Sequence, residues 1–115
     1  MADSSTNMVT WFQLPAEDEP KAWAFYQRVF GWTPEDAYGP PREGAIRGEI
    51  SARTEDFVHP RLVIRVDDLD GTLAMAVEAG ATVVQGRTAI PEIGMVFAVF
   101  RDTEGNVLNI VSNLA

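Results

Sequence analysis

Apolar residues recur along the chain with two different periods, and the order in which those periods alternate outlines the fold. Residues 8–14, Met-Val-Thr-Trp-Phe-Gln-Leu, are dense in β-branched and aromatic side chains and predict a strand. Pro15 to Pro20 follow as a turn whose acidic groups, Glu17, Asp18 and Glu19, precede a proline suited to the first turn of a helix. Ala22, Phe25, Tyr26, Val29 and Phe30 then fall at i, i+3, i+4, i+7 and i+8, the spacing of one apolar helix face. Gly31 stands where a left-handed residue ends a helix at least cost.

The same pattern is then written a second time. Residues 61–66 predict a strand, and Asp67, Asp68 and Asp70 form an acidic helix start. Leu69, Leu73, Ala76 and Val77 give another amphipathic helix, and Gly80 ends it as Gly31 ended the first. A strand opens at residues 81–84, and residues 95–101 and 107–112 predict two more, joined by the turn-rich Asp102-Thr103-Glu104-Gly105-Asn106. In the first half the corresponding strands are expected near residues 32–38 and 45–52, with residues 53–60 as a linker. Each half therefore begins with strand and helix and continues in strands, which predicts α+β instead of a doubly wound sheet. One domain over residues 1–115 is expected, built from modules at 8–58 and 59–113.

Charge narrows the partners. Seventeen acidic residues against nine basic ones give a formal net charge of -8, which repels phosphates, and no basic stripe offsets it. Nucleic acid and anionic membrane surfaces are therefore not expected partners. No apolar run approaches the roughly 20 residues of a membrane span, and residues 1–7 lack the basic and apolar regions of a signal peptide. The absence of cysteine excludes disulfides, thiolate metal sites and cysteine nucleophiles, so the cytoplasm is the default location.

Three stretches together resemble one family. Leu14-Pro15-Ala16-Glu17-Asp18, running into Ala24-Phe25-Tyr26 and Val29-Phe30-Gly31-Trp32, is similar to the opening strand and helix of glyoxalase/bleomycin-resistance/dioxygenase (vicinal oxygen chelate) proteins. Val66-Asp67-Asp68-Leu69-Asp70 with Glu78-Ala79-Gly80-Ala81 resembles the start of that family's second module. Residues 100–106 resemble its closing hairpin, with Thr103 in place of a proline. The resemblance implies two βαβββ modules forming a curved mixed sheet around a central cleft, with helices on the outer faces, commonly in a homodimer. The family includes metal-dependent lyases, isomerases and dioxygenases as well as metal-free antibiotic-binding proteins, so the fold alone does not give the function.

Metal-dependent members carry His, Glu or Gln ligands on the first and last strands of each module. Those positions map here onto Trp11, Glu49, Arg61 and Asn109. Of these, Glu49 alone is an ordinary ligand: Trp11 cannot coordinate, Arg61 is permanently cationic, and Asn109 is a weak carbonyl donor. His59, the only histidine, precedes Pro60 in the linker without a partner at ligand spacing. No metal and no other cofactor is expected.

Strand alternation assigns Trp11, Gln13, Arg47, Glu49, Ser51, Arg61, Val63, Phe97, Val99 and Asn109 to the cleft side, and Phe12, Leu14, Leu62, Ile64, Leu108 and Ile110 to the helix side. The expected ligand-binding residues are Trp11, Gln13, Arg47, Arg61, Phe97 and Asn109, holding a small aromatic or anionic molecule. This is metal-independent binding of the resistance or sequestration kind. The alternative is a lyase or isomerase with Glu49 as acid–base residue, and the sequence leaves open whether the protein is an enzyme. Glu49 and Arg61 are expected to form an ion pair, since an unpaired charge in the cleft is costly to desolvate. Trp23, Trp32, Phe57 and Met8 form an apolar surplus that suggests a covered face and a symmetric homodimer.

Overall fold

The computed structural model describes residues 7–34 and 45–114. In chain order they form β1 (Met8–Ala16), α1 (Glu19–Phe30), β2 (Arg47–Ala52), β3 (Arg61–Arg65), α2 (Leu69–Glu78), β4 (Thr82–Ile90), β5 (Met95–Arg101) and β6 (Val107–Asn113). This is the α+β class that the pattern of periods predicts. The chain divides into two compact units, one of Trp11–Arg61 and one that begins at Leu62 and includes the residues up to Thr10.

The unit from Leu62 is a complete βαβββ module with strand order β3-β6-β5-β4. β3 and β6 run parallel, as the crossover through α2 allows, while β6–β5 and β5–β4 are antiparallel. Alternation sorts its side chains cleanly. Val96, Ala98 and Ile110 point to the α2 side, where they pack with Val66 and Leu69, and Ile64, Leu73 and Phe100 lean on this cluster. Burying a side chain such as Ile110 contributes about 1.5–3 kcal/mol. Leu62 departs from the expected core and is 45% exposed, since it stands near the start of β3, outside the cluster that Ile64 joins.

Local chemistry fixes the ends of the elements. Asp68 caps α2 by accepting from the Gly71 N–H at 3.0 Å, and Asp18 caps α1 by accepting from the Lys21 N–H at 3.1 Å. Gly31 closes α1 at φ 75°, the left-handed geometry expected of it. In the β5–β6 turn, Asp102 accepts from the Glu104 and Asn106 N–H groups at 2.8 and 2.9 Å, with Gly105 at φ 86°.

In the unit of residues 11–61, β1 and β2 are parallel, with Phe12 opposite Gly48 and Gln13 opposite Glu49. Gly48 and Ile50 are buried on the face towards which α1 packs. A Cβ at Gly48 would lie 2.4 Å from the Phe12 ring, so the glycine is what lets that ring settle on the strand. Phe12, Tyr26, Phe30 and Trp32 form a connected aromatic group, with Tyr26 stacked on Trp32 at 5.2 Å. The helix face is less covered than its spacing suggests: Phe25, Val29 and Phe30 are more than half exposed. The described sheet beneath α1 in this unit is only two strands wide. Trp32, Thr33 and Pro34 lie outside any strand, and residues 35–38 of the strand expected at 32–38 fall outside the described residues.

The turn at Asp102 generates a pH prediction. The N–H groups of Asn106 and Glu104 lower the Asp102 pKa below the usual carboxylate value. A lowered folded-state value gives stability that is present above the unfolded pKa and lost as pH falls through the folded one. The unsubstituted protein should therefore be more stable than Asp102→Asn at neutral pH in urea unfolding, with the gap narrowing in acid. A gap independent of pH would contradict this account.

Candidate functional site

The β1–β2 register brings Trp11, Gln13, Glu49 and Ser51 to the face opposite Phe12 and Gly48. Three donors converge on the Glu49 carboxylate: Trp11 Nε1 on Oε2 at 3.1 Å, and Ser51 Oγ at 2.7 Å and Gln13 Nε2 at 3.3 Å on Oε1. Arg61 Nε in turn donates to Gln13 Oε1 at 2.8 Å. The expected direct Glu49–Arg61 pair is therefore not what forms. Gln13 has one oxygen and one amide nitrogen, so it can face the cation with the first and the carboxylate with the second.

The Arg61 guanidinium lies over the Phe57 ring, 4.2 Å from its centroid. Phe57 is 4% exposed, so the ring serves as a floor and does not belong to the exposed apolar surplus in which the sequence placed it. A tight turn holds it, with the backbone groups of Thr54 and Phe57 bonded reciprocally. Burial pushes the Arg61 pKa down, and the Glu49 charge pulls it part of the way back. Arg61 remains a cation at neutral pH. Among the described residues its terminal nitrogens have no hydrogen-bond partner, since its one bond runs through Nε. Arg47 adds a second guanidinium, 6.0 Å from the centre of the Trp11 ring. Arg47 and Arg61 thus each stand against a residue that donates to Glu49, in a chain of net charge -8.

Phe97 and Asn109 belong to the other unit. Phe97 pairs with Val111 and Thr88, and Asn109 stands in register between Val63 and Val99. Asn109 is buried, and its Oδ1 has no hydrogen-bond partner among the described residues. His59 is exposed in the linker.

A model of the glyoxalase-like domain matches residues 11–111. The chain belongs to this family. No curated protein matches the glyoxalase-like domain described here. Among solved structures, it is similar to an NAD-dependent benzaldehyde dehydrogenase from Legionella pneumophila at 15% identity, covering 90% of this chain and 97% of that one with a TM-score of 0.66. It is also similar to a variant of Streptomyces coelicolor methylmalonyl-CoA epimerase in complex with 2-nitronate-propionyl-CoA, at 13% identity, 97% and 100% coverage and a TM-score of 0.63. A glyoxalase/bleomycin resistance protein/dioxygenase family enzyme from Burkholderia phytofirmans PsJN matches at 23% identity, 92% and 98% coverage and a TM-score of 0.45. At these identities the first two likenesses concern the fold alone.

Of the residues that the sequence maps onto the family's metal positions, Glu49 alone is an ordinary ligand for a divalent ion. Trp11 Nε1 is a donor already spent on Glu49, Arg61 is a cation, and the Asn109 oxygen is a neutral amide carbonyl. Among the described residues, no group of three or more His, Cys, Asp or Glu could hold a metal. Two contributors to the site were absent from the expected ligand-binding set. Ser51 was legible as the residue two beyond Glu49 on the same strand face, and Phe57 depends on a turn that alternation does not describe.

If Gln13 joins the two charges, Gln13→Leu should destabilise by about 1–3 kcal/mol, because Arg61 Nε loses its acceptor and Glu49 a donor. In a urea-unfolding cycle with Arg61→Met, the two changes should couple by about 0.5–2 kcal/mol. Additive effects would show that Gln13 does not carry the link.

Proposed function

We propose that this glyoxalase-like domain binds a small anionic molecule of aromatic character, without a metal, at Arg61. The observation that carries the reading is the state of that guanidinium: floored by Phe57, fixed at Nε by Gln13, and without a partner at its terminal nitrogens among the described residues. Those two nitrogens are the fork that grips a carboxylate in bidentate fashion. Partial burial strengthens attraction to an anion, and fixing the side chain in advance lowers the entropy lost on binding. Trp11 and Arg47 supply an aromatic face and a second cation in the same unit.

Sequestration fits this better than lyase or isomerase chemistry. Glu49 has about four lone-pair sites, and three protein donors already converge on them. A general base needs a site open to substrate within hydrogen-bond reach. The acidic composition speaks against nucleic acid and anionic membranes. Among the described residues, no helix is long and apolar enough to cross a membrane. A cytoplasmic location accords with the absence of cysteine. The exposed Phe25, Val29 and Phe30 side chains of α1 favour a homodimer that covers this face.

Calorimetric titration with benzoate in the presence of EDTA tests the site. Benzoate should bind at least about tenfold more tightly than neutral benzamide, and Arg61→Met should remove that difference, since a charged hydrogen bond contributes about 1.5–3 kcal/mol. Equal affinities, or benzoate binding lost in EDTA, would overturn the reading. For assembly, light scattering at micromolar concentration should give twice the chain mass, and Phe30→Glu should halve it. A monomer in the unsubstituted protein would remove the dimer.

A further inference from the structure

The two helices carry opposite charge on the faces they leave exposed. Along α1, Lys21, Ala24, Phe25 and Arg28 fall at i, i+3, i+4 and i+7, all four are exposed, and a cation stands at each end of the stripe. Along α2, Gly71, Ala74, Met75 and Glu78 repeat that spacing and are all exposed, with Asp70 beside the stripe at its N-terminal end. No residue of α2 is basic. Between their charges both stripes are apolar: Phe25 is 58% exposed and Met75 69%, and Val29 and Val77 flank them, each about half exposed. Apolar surface of this kind, rimmed by charge, marks a place of contact with another protein. Among the described residues Lys21, Arg28 and Glu78 have no salt-bridge partner, and Asp70 has an exposed one in Arg87 at 3.1 Å.

We propose that α1 of one copy docks antiparallel on α2 of a second copy, with Lys21 beside Glu78, Arg28 beside Asp70, and Phe25 against Met75 between them. The proposal rests on the reading that a homodimer covers α1, and it names the surface that does the covering. Charge decides the occupant. Two α1 helices packed antiparallel would set Lys21 of each against Arg28 of the other, and packed parallel would set like against like, so both arrangements repel. α2 offers carboxylates at a matching separation. Lys21 and Arg28 are seven residues apart and Asp70 and Glu78 eight, which is about 10 and 12 Å of helix. Either direction matches the charges, and the helix dipoles favour the antiparallel one. A thioether against an aromatic ring is a further favourable contact. Two chains of net charge -8 repel at long range, so a basic stripe is where a second acidic copy can approach. In a symmetric dimer the contact is made twice, because the second copy's α1 then meets α2 of the first.

Lys21 is the only lysine in the chain, which allows a direct test on the unsubstituted protein. Chains of natural and nitrogen-15 composition are mixed and treated with a carbodiimide, which joins an amine to a carboxylate without a spacer. In the digest, mass spectrometry should find mixed-isotope links from Lys21 to Glu78. Mixed-isotope links from Lys21 that leave out Glu78, or no such link in a sample that scatters light as a dimer, would overturn the proposal. Charge reversal gives a second arm. Lys21→Glu with Arg28→Glu in one chain, and Asp70→Lys with Glu78→Lys in another, should each dimerise at least about tenfold more weakly than the unsubstituted protein. An equimolar mixture of the two should recover a heterodimer, because the reversed α1 then meets the reversed α2. The second pair of changes makes the chain less negative, so general repulsion would predict a tighter dimer from it, the opposite sign. A dimer undiminished by Asp70→Lys with Glu78→Lys would overturn the pairing with α2 and leave the homodimer standing. A monomer in the unsubstituted protein would remove both. Cross-linking needs no variant, so a folding defect in either one leaves the test intact.

Discussion

Keeping a half-buried guanidinium from collapsing onto the nearest carboxylate is the constraint around which the unit of residues 11–61 is arranged. Removing Arg61 from water is costly, and pairing directly with Glu49 is the obvious relief. The structure instead inserts Gln13, whose amide meets both charges, and gives the rest of Glu49 to Trp11 and Ser51. Phe57 covers one face of the guanidinium, and among the described residues its terminal nitrogens have no partner. All of this depends on register. Gln13 lies opposite Glu49 because Phe12 lies opposite Gly48, where a side chain would strike the ring. A slip of one residue would turn Glu49 to the α1 side and Ile50 to the polar side.

Apart from the strand expected at 32–38, the elements stand near where the periods put them, because helix and strand differ in spacing. The β5 range matched residue for residue, and α1 and α2 ended close to Gly31 and Gly80. Alternation likewise put Trp11, Gln13, Glu49 and Ser51 on one face, since that depends only on the period of a strand. Two matters lay beyond it. Whether Glu49 meets Arg61 directly or through Gln13 is decided by side-chain reach over distances of a few ångströms. Whether α1 is covered depends on how much sheet lies beneath it, and periodicity records which face is apolar without recording what it packs against. Phe57 joins both difficulties, as an aromatic residue in a linker whose burial follows from one tight turn.

The glyoxalase-like fold supplies positions, and the residues at those positions decide the chemistry. A ligand ring for a cation needs neutral or anionic oxygen and nitrogen acceptors. In this chain Trp11 and Arg61 are donors, and donors gather around negative charge. On the proposed reading, donors in place of acceptors favour an anion over a metal ion at such a place. Glu49 remains the exception, and its charge is taken up by the donors that surround it.

Sequences that fold well agree with their structure at every level, and local disagreement tends to collect where function is carried. This chain agrees in its caps, its turns and the α2-side core. It disagrees at Arg61, a partly desolvated cation whose terminal nitrogens find no acceptor among the described residues, and at Asn109, an amide oxygen enclosed beside valines. Each would be more stable with an apolar residue of similar size, by the ordinary reasoning about buried polar groups. The two are opposite in chemistry, one a set of unsatisfied donors and the other an unsatisfied acceptor. A general weakness of packing would leave random orphans, including apolar voids and uncapped helix ends, whereas α1 and α2 are both capped by aspartates. Among the described residues, Arg61 and Asn109 each lie on a strand face of their own unit where periodicity alone would put an apolar side chain as readily.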